Sequence, residues 1–164
     1  MSWPAPAKLN LMLHIIGRRE DGYHDLQTVF QFIDFVDELE FRPRKDDKIF
    51  RISEGFELPQ DEDIIIRAAR MLRERYQHDN PSAGFCCGVD IKLTKNIPMG
   101  AGLGGGSSDA ATTLTALYTR WGSGYSTDEL AEVGLSVGAD VRVFVGGFAA
   151  FAEGIGEKLR PVSL

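Results

Sequence analysis

The chain has almost no cysteine: Cys86 and Cys87 are its only two, and they are adjacent. Neighbouring thiols with no C-x-x-C spacing supply neither a disulfide framework nor a zinc site, so both are read as buried, weakly polar fillers. No apolar run reaches membrane-spanning length, and no basic segment followed by an apolar stretch opens the chain. The expected location is therefore a reducing cytoplasm, with no membrane partner. Basic charge is also in deficit, since 18 Lys and Arg face 24 Asp and Glu for a net charge of −6. That balance argues against nucleic acid as a partner and leaves any anionic ligand to local dipoles and a few cations. The 164 residues, 43% apolar and 26% charged, suit one globular domain with one core.

Glycine, by contrast, is concentrated. In Pro98-Met99-Gly100-Ala101-Gly102-Leu103-Gly104-Gly105-Gly106-Ser107-Ser108, every residue from Gly100 to Gly106 except Leu103 is glycine or alanine. Without Cβ, glycine accepts positive φ and lets successive amides approach an anion. Ala110, Ala111, Leu114, Leu117, Tyr118 and Trp121 then recur at helical spacing, which predicts an amphipathic helix beginning near Ser107, with Ser107 or Ser108 as its cap. A glycine loop that feeds a helix N-terminus is a phosphate-binding arrangement.

Spacing separates the phosphate motifs. A Walker A loop ends in Gly-Lys-Ser/Thr, but Gly106 stands at the lysine position. Gly100-x-Gly102-x-x-Gly105 matches the dinucleotide pattern, yet the acidic residue expected about 20 positions on falls among Trp121-Gly122-Ser123-Gly124. No H-R-D or D-F-G segment follows to support a protein-kinase loop.

Elsewhere, Leu9, Leu11, Leu13 and Ile15 alternate with Lys8, Asn10, Met12 and His14, the signature of a half-buried strand with Lys8 and Asn10 on one face. Strands are expected at 26–35, 38–42, 49–52, 89–93, 141–145 and 148–152, and a helix over 64–76. Ser126-Thr127-Asp128-Glu129 is a capping-box signal for a helix through Val137. Strands with interspersed helices, and no regular βαβ alternation, point to an α+β fold.

A phosphoryl transferase needs a phosphate cradle, a cation and an acceptor for the hydroxyl proton. Lys8 reads either as an edge-strand lysine or as that cation. Asp140, after Gly138-Ala139, either caps a turn or projects into a cleft. Tyr23 and His24 are either a recognition pair or packing residues, and Asn10, Phe30 and Asp63 are equally open.

The pattern P-x-x-x-G-L-x-x-x-S-S-x-A resembles the ATP loop of the GHMP small-molecule kinases. Pro4-Ala5-Pro6-Ala7-Lys8-Leu9-Asn10-Leu11, Gly22-Tyr23-His24-Asp25-Leu26-Gln27-Thr28 and Gly138-Ala139-Asp140-Val141 resemble, in the same order, the branch acting on 4-diphosphocytidyl-2-C-methyl-D-erythritol. The resemblance implies the amino-terminal domain of that fold, similar to domain 2 of ribosomal protein S5, over residues 1–164. It also implies that the second domain of family members is absent. The implied activity is transfer of the ATP γ-phosphate to the substrate's 2-hydroxyl, with ATP and Mg2+ as cofactors. Lys8 and Asp140 match the catalytic pair, Pro98 to Ser108 the ATP loop, and Asn10, Tyr23, His24 and Phe30 the substrate pocket, where an aromatic ring stacks on cytosine. A sibling GHMP kinase and an inert nucleotide-binding module are the alternatives. Two positions depart from the pattern. Arg142 stands where proline is usual; on a strand it would share a face with Asp140 and pair with it. Asp63 stands where asparagine is common and lacks the amide's donors.

Overall fold

The computed structural model describes residues 2–163 apart from 21, 23, 53–58, 60–61, 82–87, 123 and 157. Tyr23, Cys86 and Cys87 thus lie outside the described residues. Two long strands, β1 (Ser2–Arg18) and β2 (His24–Pro43), form an antiparallel ladder, and then come β3 (Ile49–Ile52), α1 (Ile64–Asp79), β4 (Val89–Thr94) and α2 (Gly105–Trp121). The remaining elements are α3 (Thr127–Val137), α4 (Ala139–Gly146), β5 (Ala150–Gly154) and β6 (Lys158–Pro161). The α+β expectation holds.

β2 organises the sheet. β1 runs along one edge, while β4 pairs with its C-terminal half (Glu38↔Thr94 to Pro43↔Val89) and β5 with its N-terminal half (Leu26↔Gly154 to Phe30↔Ala150). The expected strands at 26–35 and 38–42 are one strand, because Val36 and Asp37 between them stay extended and pair with Pro6 and Ala5. β3 joins β4 in parallel, and β6 closes the other end against β5.

One core lies between this sheet and the helices. Leu39, Phe41 and Ile91 from the sheet meet Ile66 and Leu72 of α1, Leu114 and Leu117 of α2, and Val137 and Val141 beyond. Each of those side chains gains about 1.5–3 kcal/mol from leaving water.

The alternation in β1 has a different meaning from the one expected. Ala5 and Ala7 are the fully buried residues of this strand, whereas Leu9, Leu11, Leu13 and Ile15 are 39%, 54%, 51% and 66% exposed. The core draws Ala5 from β1 and nothing from Leu9 onward, so these four side chains stay outside it. Period-two patterning keeps residues on one face only while the ladder is regular; the bulge between Asn10 and Met12 sets Leu9 opposite Gln31 but Leu13 and Ile15 opposite Thr28 and Leu26, on the other face.

The expected strand at 141–145 is helix α4. A five-residue apolar run fits either period, and the neighbour decides. A Cβ on Gly134 of α3 would meet Val141 at 3.2 Å and Val145 at 3.4 Å, so two valines four apart straddle a position kept open by glycine. α3 itself starts where the sequence predicts. The Ser126 hydroxyl accepts from the Glu129 N–H, and the Glu129 carboxylate accepts from the Ser126 N–H at 2.8 Å. Ser126→Ala removes half of this box and lowers stability by about 1 kcal/mol; urea unfolding checks it, and an unchanged midpoint would refute the assignment.

Candidate active site

A cavity of about 1010 Å3 opens between the loop ahead of α2, the start of β1, the end of β4 and the heads of α1 and α4. The loop owes its shape to three left-handed glycines, Gly100, Gly102 and Gly104, with φ of 72°, 76° and 70°. Alternation between left- and right-handed backbone turns successive amides toward one side. The helix begins at Gly105, earlier than expected, and its cap is Gly104 with no side-chain acceptor. Neither Ser107 nor Ser108 caps it, so the first-turn amides keep no side-chain partner of their own and face the cavity end. Residues 98–107 all line the cavity; Ser108 is buried behind it.

Lys8 is held against this loop. Its N–H donates to the Leu103 carbonyl at 2.9 Å, and its side chain is 7% exposed. The ammonium donates to Asn10 Oδ1 at 2.9 Å, lies 3.6 Å from Asp140 Oδ2 and sits 4.9 Å from the centre of the Phe30 ring. Lys8, Asn10 and Asp140 therefore meet at one end of the cavity. A buried ammonium needs such partners, and the ring beneath it adds a cation–π attraction.

Asp140 reaches this point from the first turn of α4, not from a strand. That corrects the expected relation with Arg142: two residues apart on a helix lie on nearly opposite sides, so Arg142 does not share Asp140's face. Phe30 is 3% exposed and packs with Val143 and Ala152, so its ring supports Lys8 and presents no open face for stacking on a base. His24 sits exposed at the start of β2 opposite Arg18, and neither it nor Phe30 lines the cavity.

The far end of the cavity holds Asp63. Its carboxylate caps α1 by accepting from the Ile65 N–H at 2.9 Å and forms a buried ion pair with Arg51. The acidic substitution thus has a structural partner, which the sequence reading did not identify.

A second charged cluster was also missed. The Lys95 ammonium, on the cavity wall, donates to Asp37 Oδ2 and to Asp109 Oδ2, the latter at 2.9 Å. Asp37 is fully buried and its other oxygen accepts from the Asn96 and Ile97 N–H groups at 2.6 and 2.8 Å. Asp109 is 2% exposed, and burial pushes its carboxyl up to about 7 against the opposing pull of Lys95. The available signal was a carboxylate directly before Ala110 in the apolar stripe of α2, where an unpaired charge is not tolerated.

Comparison with known proteins follows the same geometry. The model of the GHMP kinases N terminal domain matches residues 63–154. A 4-diphosphocytidyl-2-C-methyl-D-erythritol kinase of Nitrosococcus oceani is 55% identical over 99% of this chain and 55% of its own length. The Pseudomonas paraeruginosa protein of the same name is 56% identical over the whole chain and 56% of its own length. A crystal structure of 4-(cytidine 5'-diphospho)-2C-methyl-D-erythritol kinase, 39% identical, superposes with a TM-score of 0.80 over all of this chain and 56% of that one. The Methanococcus jannaschii mevalonate kinase, at 17% identity and a TM-score of 0.65, shares the fold. The chain spans about half the length of these relatives.

Proposed function

The chain belongs to the GHMP kinase family, and from that premise we propose that it carries the ATP-binding and catalytic residues of a kinase acting on 4-diphosphocytidyl-2-C-methyl-D-erythritol. The product would be the 2-phosphate, an isoprenoid precursor made in the cytoplasm. No described helix is long and apolar enough to cross a membrane. The observation that carries this reading is the meeting of Lys8 and Asp140 at the mouth of the left-handed glycine loop.

In this reading the loop amides and the α2 N-terminus hold the β- and γ-phosphates. A magnesium ion bound with the ATP would spread the charge of those phosphates. Asp140 accepts the proton of the attacking 2-hydroxyl, since its carboxylate is 40% exposed and open to the cavity. Lys8 fixes Asp140 by charge and faces the γ-phosphate, and Asn10 holds the ammonium in register. Asn10, Tyr23 and His24 address the cytidyl substrate, a role that rests on the resemblance of their segments to the branch acting on it. Phe30 acts beneath Lys8.

Titrating the chain with MgATP and with the cytidyl substrate, and following ADP release, tests the proposal. Turnover supports it. Nucleotide binding without turnover would favour an inert nucleotide-binding module, a reading prompted by the half-length match to the relatives. Absence of both would overturn it.

A further inference from the structure

The glycine loop is tied at both of its ends to one buried carboxylate. β4 leaves the sheet where Thr94 pairs with Glu38, and the residues that follow turn onto the neighbouring Asp37 of β2. Asp37 Oδ1 accepts from the Asn96 and Ile97 N–H groups at 2.6 and 2.8 Å, and the Asn96 side-chain amide donates to the Val36 carbonyl at 2.8 Å. These bonds fix the entry to the loop. Asp37 Oδ2 accepts from the Lys95 ammonium, which also donates to Asp109 Oδ2 at 2.9 Å, one turn into α2. This second link fixes the exit. A Cβ on Gly105, the first residue of α2, would meet both Lys95 Nζ and Ile97 Cγ2 at 2.9 Å, so the helix start rests directly on residues of the loop entry.

A loop built of glycine does not order itself. Glycine loses more freedom than any other residue on being fixed, so amides that must already point at a polyanion need a constraint from outside the loop to be preorganised. Fixing both ends supplies it, because the closure entropy is then lost during folding and not on binding. We propose that Lys95 is the positioning residue of the phosphate cradle, the link that holds the first turn of α2 to the loop entry by joining Asp109 to Asp37. The inference rests on the nucleotide-site reading above. Lys95 lies on the cavity wall, but its ammonium is engaged by two carboxylates, one fully buried and the other 2% exposed. It acts on the nucleotide through the backbone amides that it places.

Two variants separate this role from a direct phosphate contact. Lys95→Met keeps an unbranched stem and removes the ammonium. Asp37→Asn keeps an oxygen for the Asn96 and Ile97 amides but sets an NH2 group against the ammonium in place of Oδ2, and Asp37 forms no part of the cavity wall. The probes are a non-hydrolysable ATP analogue and adenosine, each titrated against the chain and both variants with NMR chemical shifts as the readout. Both variants are expected to lose about 10- to 100-fold in affinity for the analogue, the scale of a misplacement of about 1 Å, while adenosine affinity changes by less than about threefold. A loss confined to one variant would overturn the proposal; in Lys95→Met alone it would mark a direct phosphate contact. Equal losses for analogue and adenosine would overturn it as well, by reducing the cluster to general support of the fold. So would unchanged analogue affinity in both variants.

The unaltered chain supplies a further measurement, which decides the matter where a variant fails to fold. With 15N-labelled lysine and 13C-labelled aspartate, Lys95 15Nζ is expected to show couplings across its hydrogen bonds to the carboxyl carbons of Asp37 and Asp109, and to keep them when the analogue is bound. Their loss on binding would show the ammonium leaving for the phosphates and would overturn the proposal while the nucleotide site stands. Failure of the unaltered chain to bind the analogue would remove that site and the proposal with it.

Discussion

Asp140→Asn lowers the rate of ADP release from MgATP and the cytidyl substrate by about 10²–10⁴-fold, the usual worth of a positioned proton acceptor. Asparagine keeps the size and the helical position but cannot take the hydroxyl proton. Lys8 keeps its bond to Asn10 and its seat over Phe30, so the ammonium stays in place. Nucleotide affinity is therefore expected to hold within a few-fold, because the phosphate cradle is made by backbone amides that the substitution does not touch. The measurement is kcat against ATP affinity in a full-length protein bearing this sequence. A variant that kept its kcat would remove Asp140 from the chemistry.

Gly104→Ala is expected to abolish productive nucleotide binding, through two costs. The first is conformational: at φ 70° a side chain pays about 1–2 kcal/mol. The second is steric, since a Cβ there would come within 2.8 Å of Phe144 Cζ and 3.0 Å of Lys8 Cγ. Phe144 is stacked on Phe32 at 5.3 Å and Lys8 is held by Leu103 and Asn10, so neither neighbour yields freely. The loop, the lysine and the helix start must shift together, and ATP affinity should fall by more than about 100-fold, equivalent to roughly 3 kcal/mol. Gly102→Ala is the control. It shares the positive φ of 76° but has nothing within 4 Å of its Cβ, so it pays the conformational cost alone, about tenfold in affinity. Equal losses in the two variants would show that the steric argument is wrong.

The contrast between these glycines shows where sequence reading stopped. Glycine density announced a phosphate loop and a helix behind it, because only glycine tolerates that backbone. It did not distinguish Gly104, wedged between Lys8 and Phe144, from Gly102, which faces open space. Phe30 is a similar case. Its place in the strand pattern was legible and the resemblance suggested stacking on a base, but only the packing of Val143 and Ala152 around it shows a ring committed to the ammonium above. Arg142 reversed for a plainer reason: five apolar residues carry too little periodicity to separate strand from helix, and Gly134 on a neighbouring helix settled the matter.

Local chemistry is what the sequence by itself determined. The capping box at Ser126 and the glycine loop depend on residue types at short spacing, where backbone sterics and side-chain donors act directly. The tertiary structure decided everything that depends on two distant segments arriving at one place. It set Asp37, Lys95 and Asp109 together beneath the loop, paired Arg51 with Asp63, and bulged β1 at Leu11 so that Leu9 and Leu13 point to opposite faces. Burial and charge pairing are properties of the packed chain, and a carboxylate such as Asp109 acquires its unusual state only when β2, β4 and α2 remove it from water together.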